Sequence, residues 1–276
     1  MGEHIVTDLS AESLARAIAE NFVAAYTLLA RAHGAVRERD GITAIVTRVP
    51  TAEFNGVFRT VLPAEQPPER TRERIGEALN WLRAEGQPFS WYITHTTAPA
   101  GLAQLLEAHG LRHMHSSPGM AIDLAAVNDD VPAPAGLEIA PVGDERELAL
   151  WAHTCNAGFG IPEAFDAQVL AVFDRFDLGP EARSRLLLAR LHGVPVGTAA
   201  LILDAGVAGL YAVSTLAEHR RQGIGAHLTL AALREARERG YRAGVLEAST
   251  MGRPVYEHLG FRQYATHHQY EPAAQD

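Results

Sequence analysis

HRRQGIGAHL, His219 to Leu228, is the stretch on which the reading of this chain turns. Two arginines and a glutamine precede glycines at 223 and 225. An apolar run with helical spacing follows, through Leu228, Ala231, Ala232 and Ala236. A helix starting near Gly223 points unpaired backbone N–H groups, and the positive end of its dipole, back at the loop. The two glycines remove Cβ atoms, so an anion could reach the backbone, and Arg220 and Arg221 add positive charge. The plain alternative is an ordinary helix start on a basic surface. A Walker-type loop is excluded, because no lysine followed by Ser or Thr stands here. A Rossmann loop wants a third glycine where this chain has Leu228, and EHRRQ separates the loop from the strand before it.

Outward from the loop, the second half reads as a regular succession. Strand 137–142, helices 144–155 and 162–176, and strands 185–191, 196–203 and 207–215 lead up to it. The long helix 223–240, strand 241–249, short helix 252–260 and strand 261–271 follow. A long helix between two strands is a crossover, which implies a parallel pair inside a mixed sheet. The first half has a related rhythm: helix 10–33, strands 42–49 and 54–62, helix 69–86, strand 89–97, short helix 101–110 and strand 111–124. GLAQLLEAHGLR and GRPVYEHLGFR match in spacing, each ending a short helix at a glycine, Gly110 and Gly260. A duplicated fold follows. The first copy lacks the glycine pair (its loop is PPERTRERIG, 67–76) and has Leu106 where the second has Tyr256. The segment NDDVPAPAGLE divides the copies. The expected organisation is a degenerate domain over 1–127, a linker over 128–136 and an active domain over 137–276.

VSTLAEHRRQGIGAHL with its long helix resembles the acetyl-CoA loop of the GNAT acyltransferases, whose pattern [QR]xxGx[GA] is met by Arg220, Gly223 and Gly225. EASTMGRPVYEHLGF resembles that family's second signature, a short helix with a tyrosine four residues before Gly-Phe, here Tyr256, Gly260 and Phe261. The resemblance covers roughly 136–275 and implies an α/β chain, a mixed α+β sheet made of two tandem GNAT-like folds. It implies an N-acyltransferase using acetyl-CoA. The backbone amides of Arg221, Gln222, Gly223, Ile224, Gly225 and Ala226 would hold the pyrophosphate beside Arg220. Val213, Ser214 and Thr215, at the end of the preceding strand where it splays from its parallel neighbour, would meet the pantetheine arm and polarise the thioester carbonyl. Tyr256 would protonate the departing thiolate. Ser249 stands where the family often has an asparagine that touches the cofactor arm.

The base is not assigned from sequence. Several relatives carry a glutamate where this chain has Gly244. Glu247 is on the same strand but on the opposite face if alternation holds. Tyr211 or a water chain could substitute. The acceptor pocket would be walled by the first two helices of the second half and CNAGFGIPEAF between them, and Phe159 and Phe165 there read first as core. Rival functions are a non-catalytic acyl-CoA-binding sensor, supported by Gly244, and a nucleotide-binding module.

Composition narrows the classes. A formal net charge of −9 argues against a general nucleic-acid binder and suits a cationic substrate. One cysteine, Cys155, excludes an intrachain disulfide and a multi-cysteine metal site. Among 13 histidines, His113 and His115 share a strand face and His267 adjoins His268, but no acidic or cysteine partner completes a ligand spacing, so no metal is expected. The opening MGEHIVTDLS shows no secretory signal. The longest apolar window, 197–217, is broken by the turn at Asp204-Ala205-Gly206 and is no membrane span. A cytoplasmic protein acting on a small-molecule amine, or on a protein N-terminus, is the expectation. Neither a membrane nor a nucleic-acid partner is expected.

Overall fold

The computed structural model describes residues 5–63 and 65–273, so the first four residues of the opening stretch lie outside the described residues. The first half runs α1 (Ala11–Ala30), β1 (Ala35–Arg39), β2 (Ile42–Val46), β3 (Asn55–Thr60), α2 (Pro68–Glu85), β4 (Ser90–Ile93), α3 (Leu102–Ala108) and β5 (Leu111–Asp123). The second half runs β6 (Leu137–Pro141), α4 (Glu145–Phe159), α5 (Asp166–Phe173), β7 (Ser184–Leu191), β8 (Val194–Asp204), β9 (Val207–Thr215), α6 (Ile224–Glu238), β10 (Ala243–Glu247), α7 (Arg253–Leu259) and β11 (Arg262–Pro272). β1 is the one strand that the sequence did not announce. Its residues, AVRER, carry no apolar alternation, and it is half-exposed at the rim of the sheet, where charge keeps an edge from pairing further.

The described strands form a single mixed sheet of 11 in the order β1-β2-β3-β4-β11-β5-β10-β9-β8-β7-β6. β3–β4 and β9–β10 are parallel, bridged by α2 and α6, and the remaining pairs are antiparallel. The duplication is therefore visible as two β–α–β–α–β units, β3 to β5 and β9 to β11. Their last strands are exchanged. β11, the end of the second half, lies between β4 and β5, and β5 lies between β11 and β10. The halves are consecutive in the chain but share the centre of one sheet. Segment 128–136 packs back on the second half, with Val131 against its core and Asn128 donating to the carbonyl of His258.

Strand alternation assigns each helix to a face. Leu186 and Leu188 of β7 meet α4 and α5 through Trp151 and Phe173, whereas Leu187 and Ala189 meet α6. In β10, Ala243 and Val245 face α1, while Gly244 faces Leu233 of α6. Helix α1 starts at Ser10, whose hydroxyl accepts from the Ser13 N–H, and crosses the middle of the sheet. It is pinned there by buried Asn21, whose amide donates to the carbonyls of Ile202 and Asp204 and whose Oδ1 accepts from the Tyr211 hydroxyl at 2.8 Å. A helix from the first half is thus locked onto strands of the second.

Candidate active site

β9 and β10 pair through Ala208–Gly244, Gly209–Val245 and Leu210–Leu246, and no pair follows. Two features drive them apart. A bulge puts Tyr211 opposite Ala200 and Ser214 opposite Thr198, and Ala212 sits in the left-handed region at φ +49°. Gly158 of α4 also presses so close to β9 that a Cβ there would lie 2.5 Å from Ser214 Oγ. The opened seam is a cavity of about 760 Å³, a size suited to a small ligand. Val213 lines it with its free strand edge. The Ser214 side chain does not reach it, because its hydroxyl is paired in the core with Thr198 Oγ1 at 2.8 Å, so only the backbone is on offer there.

Beyond β9 the glycine loop turns into α6. Arg221 (φ +61°) and Gly223 (φ +82°) bend the chain so that α6 begins at Ile224. Among the described residues, none of the backbone N–H groups from Arg221 to Ala226 finds a partner. Gly225 is helical, and a Cβ on it would meet only Thr215 Oγ1 at an ordinary 3.8 Å. The fold itself does not need glycine there, so the bare backbone is left to a ligand. The Arg220 side chain is otherwise engaged: it donates to the carbonyls of Thr215 at 3.2 Å and Gly158 at 2.9 Å, tying the loop to α4. Arg221 and Gln222 are exposed.

On the other side of the seam, Tyr256 projects from α7 against Phe261 and lines the cavity. Burial pushes its phenol up to about 12, so it is protonated at neutral pH. Ser249 Oγ accepts from the Gly252 N–H at 3.0 Å and shapes the start of α7 at the cavity rim.

The structure revises the reading of the base. Position 244 points away from the cavity, and a Cβ there would stand 2.7 Å from Leu233 Cδ2, so a glutamate at that place could not serve this site. Glu247 is on the opposite face from Gly244, as alternation requires, and that is the face that carries the cavity. Burial pushes the Glu247 carboxyl up, but His267, whose Nδ1 lies 3.1 Å from Oε2, together with Ser117 and His115 outweighs it and holds the group below its ordinary value. Tyr211 is not a base: its hydroxyl is held by Asn21, and burial raises it well above the usual phenol range. Phe159 is not core either. It is 55% exposed and lines the cavity, while Phe165, 36% exposed, does not. His113 and His115 do not share a face. The register shifts at Met114, so His115 pairs with Gln269 and lines the cavity while His113 pairs with Tyr270 and stacks near His268. Strict alternation misses such a shift because a bulge adds a residue without any mark in the sequence.

The first half supplies residues that no motif signalled: Phe22 and Tyr26 of α1, Glu53, and Tyr92 of β4. The matching seam of the first half is shut. β3 and β4 pair only through Gly56–Ser90 and Val57–Trp91. The chain then returns, with the Ala98 N–H donating to Thr60 O at 2.9 Å and the Leu62 N–H to Ala98 O at 3.1 Å. Backbone fills the place where the second half is open.

Residues 149–261 match the family model of the acetyltransferase (GNAT) family. That match lies wholly within the second half, so it is the second half that resembles the GNAT acetyltransferases in sequence. A GCN5-related N-acetyltransferase from Kribbella flavida has a similar structure, with a TM-score of 0.66 at 23% identity over 92% of this chain and 96% of that one. One from Sphaerobacter thermophilus gives 0.64 at 18% identity over 99% and 96%. A tandem GNAT protein from the clavulanic acid biosynthesis pathway gives 0.61 at 17% over 85% and 79%. These likenesses extend the GNAT fold over both halves, as two tandem copies. No curated protein matches the sequence significantly. The family is one of acyltransferases, and no described helix is long and apolar enough to cross a membrane.

Proposed function

We propose that this protein is an acetyl-CoA-dependent N-acetyltransferase that passes the acetyl group directly to an amine in the second-half seam. The observation that carries the reading is that one cavity presents an ionised carboxylate, Glu247, and a protonated phenol, Tyr256, beside the free edge of β9. An ammonium acceptor must lose a proton before or as its nitrogen attacks. Glu247 draws the ammonium in and one proton leaves it to solvent; as the neutral nitrogen then forms the N–C bond, Glu247 takes the proton that the nitrogen sheds, with His267 orienting the carboxylate. The thioester supplies the activated acyl group. Amides at the bulged end of β9 face its carbonyl as negative charge develops there. As the C–S bond breaks, Tyr256 donates to the sulfur. A phenol near 12 is a weaker acid than a thiol of about 8.5, so Tyr256 acts by hydrogen bonding and transient transfer, and the amine's proton is the one that finally reaches the thiol or solvent.

The bare backbone at Gly225 and the unpaired amides around it fit a pyrophosphate, with Arg221 and Gln222 at the surface beside it. Arg220 also ties this loop to the end of β9 and to α4. An acyl-CoA substrate also suits the cytoplasmic placement. The sensor alternative rested on glycine at 244, and Glu247 removes that support. The test is free-thiol release from acetyl-CoA in the presence of amines. Tyr256→Phe should lower kcat by roughly 10²–10⁴-fold while acetyl-CoA affinity stays. Binding of acetyl-CoA with no turnover on any amine would return the sensor reading.

A further inference from the structure

The acceptor end of the cavity is built across the two halves. Phe22, Tyr26 and Tyr92 form its wall, with Phe22–Tyr26 ring centroids 5.0 Å apart and Phe22–Tyr92 5.1 Å, and Phe58 stacks behind Tyr26 and Tyr92 at 4.4 and 5.0 Å. Such a wall takes a flat or hydrocarbon body and favours a cation over its ring faces. Two carboxylates border it. Glu247 is at the reacting end. Glu53 is exposed on the loop before β3, and its backbone carbonyl accepts from the Tyr92 hydroxyl at 3.2 Å. That loop is rigid: buried Asn55 donates to the carbonyls of Val49, Thr51 and Pro88 and accepts from the Thr47 and Arg48 N–H groups. Both carboxylates line the same cavity as Tyr26 and Tyr92. The arginine in the lining, Arg253, has its Nε 2.7 Å from Glu257 Oε1, and His115 is the other basic group beside Glu247.

We infer that the acceptor is a small organic dication: an amine presented to Glu247, an apolar body against Phe22, Tyr26 and Tyr92, and a second positive group held by Glu53. This rests on the acetyltransferase reading and narrows it. A carboxylate next to the amine would face Glu247 with no free arginine in the lining to receive it, so amino acids are disfavoured. The cavity of about 760 Å³ must also take the acyl end of the cosubstrate, which leaves room for a small molecule only.

The test uses the full chain and two matched pairs, 1,5-diaminopentane against lysine and phenethylamine against phenylalanine, with acetyl-CoA binding measured first by calorimetry. Each amine should exceed its amino acid by at least about tenfold in kcat/KM, by desolvated-charge arithmetic of roughly 1.4 kcal/mol per decade. Glu53→Gln, a surface change, should raise KM for 1,5-diaminopentane about tenfold and leave KM for phenethylamine and acetyl-CoA within about twofold. Equal or better use of the amino acids, or an unchanged diamine KM in Glu53→Gln, overturns the inference. Acetyl-CoA binding without acetylation of any of the four also overturns it and leaves the acyl-CoA site standing. Failure to bind acetyl-CoA overturns both.

Discussion

At the scale of single residues, the site turns on where Glu247 and Tyr256 point. Glu247→Gln should cost roughly 10²–10⁴-fold in kcat/KM with little change in acetyl-CoA affinity, measured by steady-state kinetics and calorimetry. Because the Glu247 carboxyl lies below its ordinary 4.5, its base form is present throughout the neutral range and is lost only as pH falls through that depressed value. The pH profile of kcat/KM should therefore rise with deprotonation of the acceptor and show no limb from Glu247 above about pH 4.5. Gly225→Ala separates fold from function. A Cβ there is sterically acceptable and improves the helix by roughly 0.5–1 kcal/mol, so the melting temperature should rise slightly. Acetyl-CoA affinity should fall under the proposed function, because the methyl group would stand where the pyrophosphate is to reach the backbone. The positions of Tyr256 on its short helix and of the glycine turn before α6 were legible from motif and order. Glu247 was not, because its face could be read only relative to Gly244 until the sheet showed which face carries the cavity.

Elements place those residues, and their joints are tight. A Cβ at Gly209 would lie 1.9 Å from Asn21 Oδ1 and 2.7 Å from the Tyr211 ring. Gly209→Ala should push α1 off β9, lower stability by roughly 1–3 kcal/mol or more in urea denaturation, and distort the aromatic wall. Asn55 satisfies four backbone groups of the loop that carries Glu53 and ties it to the Pro88 carbonyl before β4. Asn55→Ala strands buried groups and should cost about 3–5 kcal/mol. Helix and strand positions were largely legible, because apolar periods of 3.6 and 2 mark them and glycines such as Gly110 and Gly260 end the short helices. The bulges at Ala212 and Met114 were not. They come from packing across strands, which a local pattern does not contain.

At the scale of the whole molecule, the exchanged strands join the two copies. Residues 1–127 expressed alone would leave β4 and β5 without β11, and residues 137–276 alone would leave β10 without β5. Each fragment should aggregate or remain unfolded, and co-expression should restore a soluble complex, judged by gel filtration and circular dichroism. Calorimetry on the intact chain should give one acetyl-CoA per chain, since the first-half seam is filled by its own backbone around Ala98. A stoichiometry of two would contradict that closure.

The sequence by itself determined the order of the elements, their duplication, the helix start at Gly223 and the place of Tyr256, because these follow from local period, turn chemistry and motif spacing. Tertiary structure decided what no local pattern encodes: that the last strands change places, that α1 of the first copy walls the site of the second, and that Glu247 faces the cavity. Those outcomes depend on contacts between residues far apart in the chain, such as Asn21 with Tyr211 and Glu247 with His267, whose geometry is fixed only when the whole sheet has formed.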